Sequence, residues 1–152
     1  MGDFRFYHLE RRRIDQALPS LLEDALAEGL RTVVQAPSPD YVEAMNERLW
    51  TYSDESFLPH GSARDGDPAA QPIFLTDSTD NPNGARLRVL LAGVDCEPFV
   101  NEGGYDRVIL LFDGRDEEAR AEARRQWTLL KSAGATLSYW REGDDGGWEK
   151  GR

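Results

Sequence analysis

Five large apolar residues in succession, Val108-Ile109-Leu110-Leu111-Phe112, lead directly into Asp113-Gly114. A short apolar run without alternation has no polar side to show to water, so it reads as a strand covered on both faces. That strand spans Tyr105 to Phe112, and Asp113-Gly114 makes the turn. A helix follows from Asp116 to Ala133 and stops at Gly134. Ala135 to Arg141, with Leu137, Tyr139 and Arg141 alternating, then gives another strand. Strand, helix and strand in that order commit the chain to a sheet with helices packed on it.

The first half repeats the alternation. Phe4, Tyr7 and Leu9 mark a strand over residues 3–9. Asp15 can cap a helix running to Glu28, with Ala17, Leu18, Leu21, Leu22, Ala25 and Leu26 on one side and Gly29 as its stop. Leu30 to Ala36 reads as a buried strand. Ser38-Pro39 supplies an N-cap and a first-turn proline for a helix ending near Trp50. A long polar loop covers residues 51–71. Pro72 to Thr76 and Leu87 to Ala92 are short strands around the turn former Asn81-Pro82-Asn83-Gly84. The order β-α-β-α-β-β-β-α-β predicts an α/β fold: a three-layer α/β/α single domain with a mostly parallel sheet over residues 1–141. Residues 142–152 then form a flexible Gly-rich C-terminal tail. The 152 residues suffice for one core without disulfides or metals.

Charge narrows the function. Eighteen basic residues against 28 acidic ones leave a net charge of −10, which disfavours direct contact with nucleic acid. No run of apolar residues is long enough to cross a membrane. The start of the chain lacks a charged-then-apolar leader, and Cys96 stands alone, so the expectation is a cytoplasmic protein. Phosphate-loop, dinucleotide and nucleophile-elbow signatures are missing, and no cofactor or metal site is expected. Asp113, directly after the buried strand, is the best enzyme-like position. It suits a small metal-dependent α/β enzyme acting on a phosphorylated substrate, unless Asp113 or Asp116 merely caps the next helix.

Two segments suggest binding instead. Arg120, Arg124, Trp127 and Lys131 recur at helical spacing and share a stripe roughly 60° wide beside the apolar Ala119, Ala123 and Leu130. Such a stripe can hold an acidic peptide ending in an aromatic residue; the alternative is a solvated face whose arginines pair with Glu117 or Glu118. Trp50 and Phe57, with Leu58, Pro59 and His60, form an aromatic segment that is either an interface anchor or a core plug. A bare interaction domain using only this second surface is a further reading.

Several pieces, in order, carry a resemblance: Phe6-Tyr7-His8-Leu9; Leu49-Trp50-Thr51 with Glu55-Ser56-Phe57-Leu58-Pro59-His60; Gln71-Pro72-Ile73-Phe74-Leu75-Thr76; Phe112-Asp113-Gly114; and Trp127 to Lys131 with Ala133-Gly134 and Tyr139-Trp140. Over nearly its whole length the chain resembles the chi subunit family of bacterial DNA polymerase III holoenzyme. The resemblance implies a non-catalytic clamp-loader accessory subunit for DNA replication. Such a subunit bridges the psi subunit to the acidic C-terminal tail of single-stranded-DNA-binding protein, which ends in Ile-Pro-Phe. It implies tail contacts at Arg124, with Trp127 as aromatic neighbour and Arg120, Thr128 and Lys131 flanking. It implies a psi-binding surface at Trp50, Phe57, Leu58, Pro59 and His60. Thr128 stands where better-known members carry a lysine. Losing that cation weakens the contact by roughly 1.5–3 kcal/mol unless Arg125 or Lys131 substitutes.

Overall fold

Neighbouring residues of the central strands face opposite ways, and this divides the hydrophobic residues between two cores. The computed structural model describes residues 2–52, 59–101, 104–145 and 147–151. Among them the chain forms β1 (Asp3–Leu9), α1 (Ile14–Ala27), β2 (Thr32–Gln35), α2 (Pro39–Thr51) and β3 (His60–Ser62). These are followed by β4 (Ile73–Thr76), β5 (Leu87–Leu91), β6 (Arg107–Asp113), α3 (Glu117–Ser132), β7 (Thr136–Glu142) and β8 (Trp148–Lys150). The strands make one sheet in the order β3-β4-β2-β5-β6-β1-β7-β8, parallel throughout except for the antiparallel pair β7–β8.

Val34, Leu111 and Leu9 join Leu18 and Leu22 of α1 and Met45 and Leu49 of α2 in one core. Their neighbours Val33, Leu110 and Phe112 join Phe4, Phe6, Phe99 and Ala123 and Leu130 of α3 in the other. Helices therefore cover both faces of a mostly parallel sheet, as the α/β expectation had it. Each fully buried Leu or Phe contributes about 1.5–3 kcal/mol to this arrangement.

Local chemistry sets the helix ends. Ser38 Oγ accepts from the Tyr41 amide with Pro39 in the first turn, and Asp116 accepts from the Glu118 amide. Gly29 (φ 75°) and Gly134 (φ 77°) close α1 and α3 in matching left-handed caps. In these, Leu30 donates to the Ala25 carbonyl and Ala135 to the Leu130 carbonyl. Pro19 lies inside α1 and cannot bond the Asp15 carbonyl. Arg48 Nε of α2 donates to that carbonyl instead, at 3.4 Å, tying the two helices together.

Three local expectations are corrected. The N-cap of α1 is Arg13, and Asp15 falls in the first turn. The loop over 51–71 contains the edge strand β3. The segment set apart as a tail begins with Glu142, which is buried and ends β7, and it goes on to supply β8. The tail departs from expectation because Trp148 packs its ring 4.5 Å from that of Tyr7, which gives a polar, Gly-rich stretch one strong anchor.

Candidate functional site

Alternation along β1 puts Phe4, Phe6 and His8 in one column facing α3. Parallel pairing then sets His8 beside Phe112 of β6 and Arg141 of β7. The carboxyl ends of these three strands and one face of α3 enclose a pocket of about 830 Å³. Strand ends in parallel α/β sheets are where ligands usually bind.

The α3 wall carries Arg120, Ala123, Arg124 and Trp127. Trp127 stands edge-to-face on Phe6 (5.2 Å, 67°) and Tyr139 (6.1 Å, 75°), so its indole is fixed at the border between core and opening. Among the described residues, Arg120 and Arg124 have no carboxylate partner, and the buried Nε of Arg120 has no hydrogen-bond partner. This disfavours the solvated-face alternative, in which Glu117 or Glu118 would neutralise them. The opposite wall adds Arg115 and Arg141, with Glu10 as the one carboxylate among the described lining residues.

His8 forms the floor. Its Nδ1 shares a hydrogen bond with the Tyr139 hydroxyl, and Gly114 lies so close that a Cβ there would collide with the imidazole. Burial, reinforced by Arg141, holds the His8 pKa below its ordinary 6.5, and burial pushes the Tyr139 phenol up. Both groups are therefore neutral near pH 7, and the positive charge of the site rests on the arginines.

The two remaining residues expected at the tail contact, Thr128 and Lys131, lie outside this pocket. Thr128 is exposed, with its hydroxyl donating to the Arg124 carbonyl, and Lys131 is exposed in the last turn of α3. Arg125 cannot stand in for a cation at 128. Its guanidinium is held by Glu122 at 2.6 Å and faces Asp95 at 3.9 Å. Residues that sequence reasoning left out of the site are His8, Glu10, Phe112, Arg115, Tyr139 and Arg141. They come from strand ends far apart in the chain, so only the register reveals them.

Asp113 accepts from the Arg115 amide (3.0 Å) and from Arg115 Nε (2.9 Å), and Arg115 holds its carboxyl below the ordinary range. Among the described residues no group of three His, Cys, Asp or Glu side chains is placed to hold a metal ion. The helix cap is Asp116. Cys96 is buried, and its thiol pKa is pushed up to about 12, mainly by desolvation.

Trp50, at the end of α2, is 52% exposed and stacks its ring 4.5 Å from that of the buried His60 of β3; Pro59 is half-buried. Phe57 and Leu58 lie outside the described residues. Since β3 is the sheet edge remote from β1 and β7, this surface and the pocket are separate.

A family model described as DNA polymerase III chi subunit, HolC, matches residues 1–138. A curated relative from Rickettsia prowazekii (strain Madrid E), named probable DNA polymerase III subunit chi, is 32% identical over 117 residues, covering 74% of this chain and 71% of that protein. Among solved structures, the C-terminal domain of the DEAD-box protein Dbp5 superposes with a TM-score of 0.52 over 95% of this chain and 92% of that one. At 13% identity it shares the fold alone. No helix among the described residues is long and apolar enough to cross a membrane.

Proposed function

The chain belongs to the DNA polymerase III chi subunit family, and from that membership we propose that its pocket binds the acidic C-terminal tail of single-stranded-DNA-binding protein. In this reading the protein is a non-catalytic accessory subunit working in the cytoplasm. It couples the clamp loader, through psi, to coated single-stranded DNA without touching the DNA. The observation that carries the reading is the pairing of Arg120 and Arg124, which lack carboxylate partners among the described residues, with the fixed indole of Trp127 on one wall of the pocket. Guanidinium groups take up carboxylates in charge-assisted bonds, and the apolar notch between Trp127, Ala123 and Phe112 suits a terminal aromatic ring. Thr128 and Lys131 flank the opening and contribute less. The exposed Trp50 beside His60, with Pro59 and the neighbouring Phe57 and Leu58, is the surface proposed for psi. Its place at the far sheet edge leaves room for both partners at once.

The test is a titration of a fluorescein-labelled peptide, several acidic residues followed by Ile-Pro-Phe, against the protein at two salt concentrations. Saturable binding that weakens with salt and falls at least about tenfold in Arg124→Ala is expected. Absence of saturable binding, or an affinity untouched by Arg124→Ala, refutes the assignment.

A further inference from the structure

Glu10 is an odd residue to find in a pocket for anions. It is the first residue past β1, and its Oε1 lies 3.4 Å from Arg141 Nη1 and 3.6 Å from His8 Nε2. The backbone there is held firmly. The amides of Glu10, Arg11 and Arg12 all donate to Glu142 Oε1, at 3.0, 2.7 and 3.1 Å, which fixes the turn leaving β1 and sets Glu10 beside Arg141. Among the described residues Glu10 is the one carboxylate that engages Arg141. An acidic ligand entering the pocket therefore meets Arg120 and Arg124, which lack carboxylate partners among the described residues, but finds the Arg141 arm already taken.

We propose that Glu10 is an internal competitor: its carboxylate occupies Arg141 until an acidic peptide displaces it. The inference rests on the reading of this pocket as an acceptor for an acidic peptide. Its consequence is selectivity. A ligand with one carboxylate is satisfied at Arg120 and Arg124 and leaves Glu10 in place. A peptide with several carboxylates can replace Glu10 at Arg141 and recover the lost pair.

The experiment uses the full chain and the same labelled peptide. Glu10→Gln keeps the shape of the side chain and removes its charge. Its affinity for the peptide should rise roughly twofold to fivefold, the range of a partly exposed charge pair in direct competition. Glu47→Gln, on the exposed face of α2, removes the same unit of charge away from the pocket and should change the affinity by less than about twofold. In an Arg141→Ala background the gain from Glu10→Gln should vanish, because the two residues act through one contact. An unchanged or weaker affinity in Glu10→Gln overturns the proposal. So does an equal gain in Glu47→Gln, or a gain that survives Arg141→Ala. These failures differ from that of the pocket reading, which is marked by wild-type protein that does not bind at all and which defeats both.

Discussion

Replacing Glu142 by glutamine should cost the fold about 3 kcal/mol at pH 7. The side chain is buried, and it accepts four N–H donors: the amides of Glu10, Arg11 and Arg12, and Arg12 Nε at 2.5 Å. Burial alone would raise its pKa. The Arg11 amide, the Arg12 guanidinium and amide and the Glu10 amide outweigh burial and hold the pKa at about 2 instead of the ordinary 4.5. At about 1.4 kcal/mol per tenfold in proton affinity, that difference amounts to about 3 kcal/mol in favour of the folded state. Because the folded value is depressed, the contribution is complete above about pH 5 and drains away as pH falls toward 2. Glutamine keeps one acceptor oxygen but turns an NH2 group toward the Arg12 guanidinium. Urea titrations between about pH 7 and pH 3 would measure it. Wild type should lose stability steeply with acid, while Glu142→Gln starts lower and falls less. The melting temperature at pH 7 should drop by about 6–12 °C. A variant within about 1 kcal/mol of wild type at pH 7, or one with the same acid dependence, would refute the assignment of this carboxylate as the anchor of the turn after β1.

Two further outcomes follow from the pocket floor. Gly114→Ala drives a methyl group into the His8 imidazole, which is held by the Tyr139 hydroxyl. A loss of about 1–3 kcal/mol in thermal or urea unfolding is expected, together with weaker peptide binding, and an unperturbed protein would contradict the packing described. His8 is held neutral by burial and by Arg141, with Glu10 and Asp113 pulling the other way and Arg120 opposing. A bound carboxylate raises its proton affinity, so binding takes up a proton and tightens as pH falls below the ordinary histidine value of about 6.5. A flat profile in wild type, or one unchanged in His8→Asn, removes His8 from that role.

The legible parts of the fold were those whose signal is local. Val108 to Phe112 announces a two-sided buried strand, Ser38-Pro39 a helix start, and Gly29 and Gly134 helix stops, because each depends on a few adjacent residues. β3 is His60-Gly61-Ser62, with no apolar pattern at all; it exists because it pairs with β4, a contact invisible in the sequence. β8 escaped notice because Trp148 is its single apolar residue. The site divides in the same way. Arg120, Arg124 and Trp127 share a helix face, so 3.6-residue spacing finds them. His8, Glu10, Tyr139 and Arg141 meet only once β1 and β7 pair in register, which spacing along the chain cannot give. Gly114 carried a usable hint, since a glycine directly after a buried strand often marks close approach of another group.

The acidity of the chain and the cationic pocket are two scales of one electrostatic design. At physiological salt a charge is felt over about 8 Å, so the net −10 acts as a diffuse skin while the pocket acts at contact. In the proposed reading a slender peptide end passes into the opening and meets the local cations, with Glu10 beside them and Trp127 and Phe112 at hand for its apolar terminus. Glu10 belongs to this scheme, because an unopposed cluster of Arg120, Arg124 and Arg141 would attract any small anion. Under the proposal, a resident carboxylate at Arg141 raises the threshold so that a ligand with several charges, delivered on a flexible strand, gains more by entering than one with a single charge.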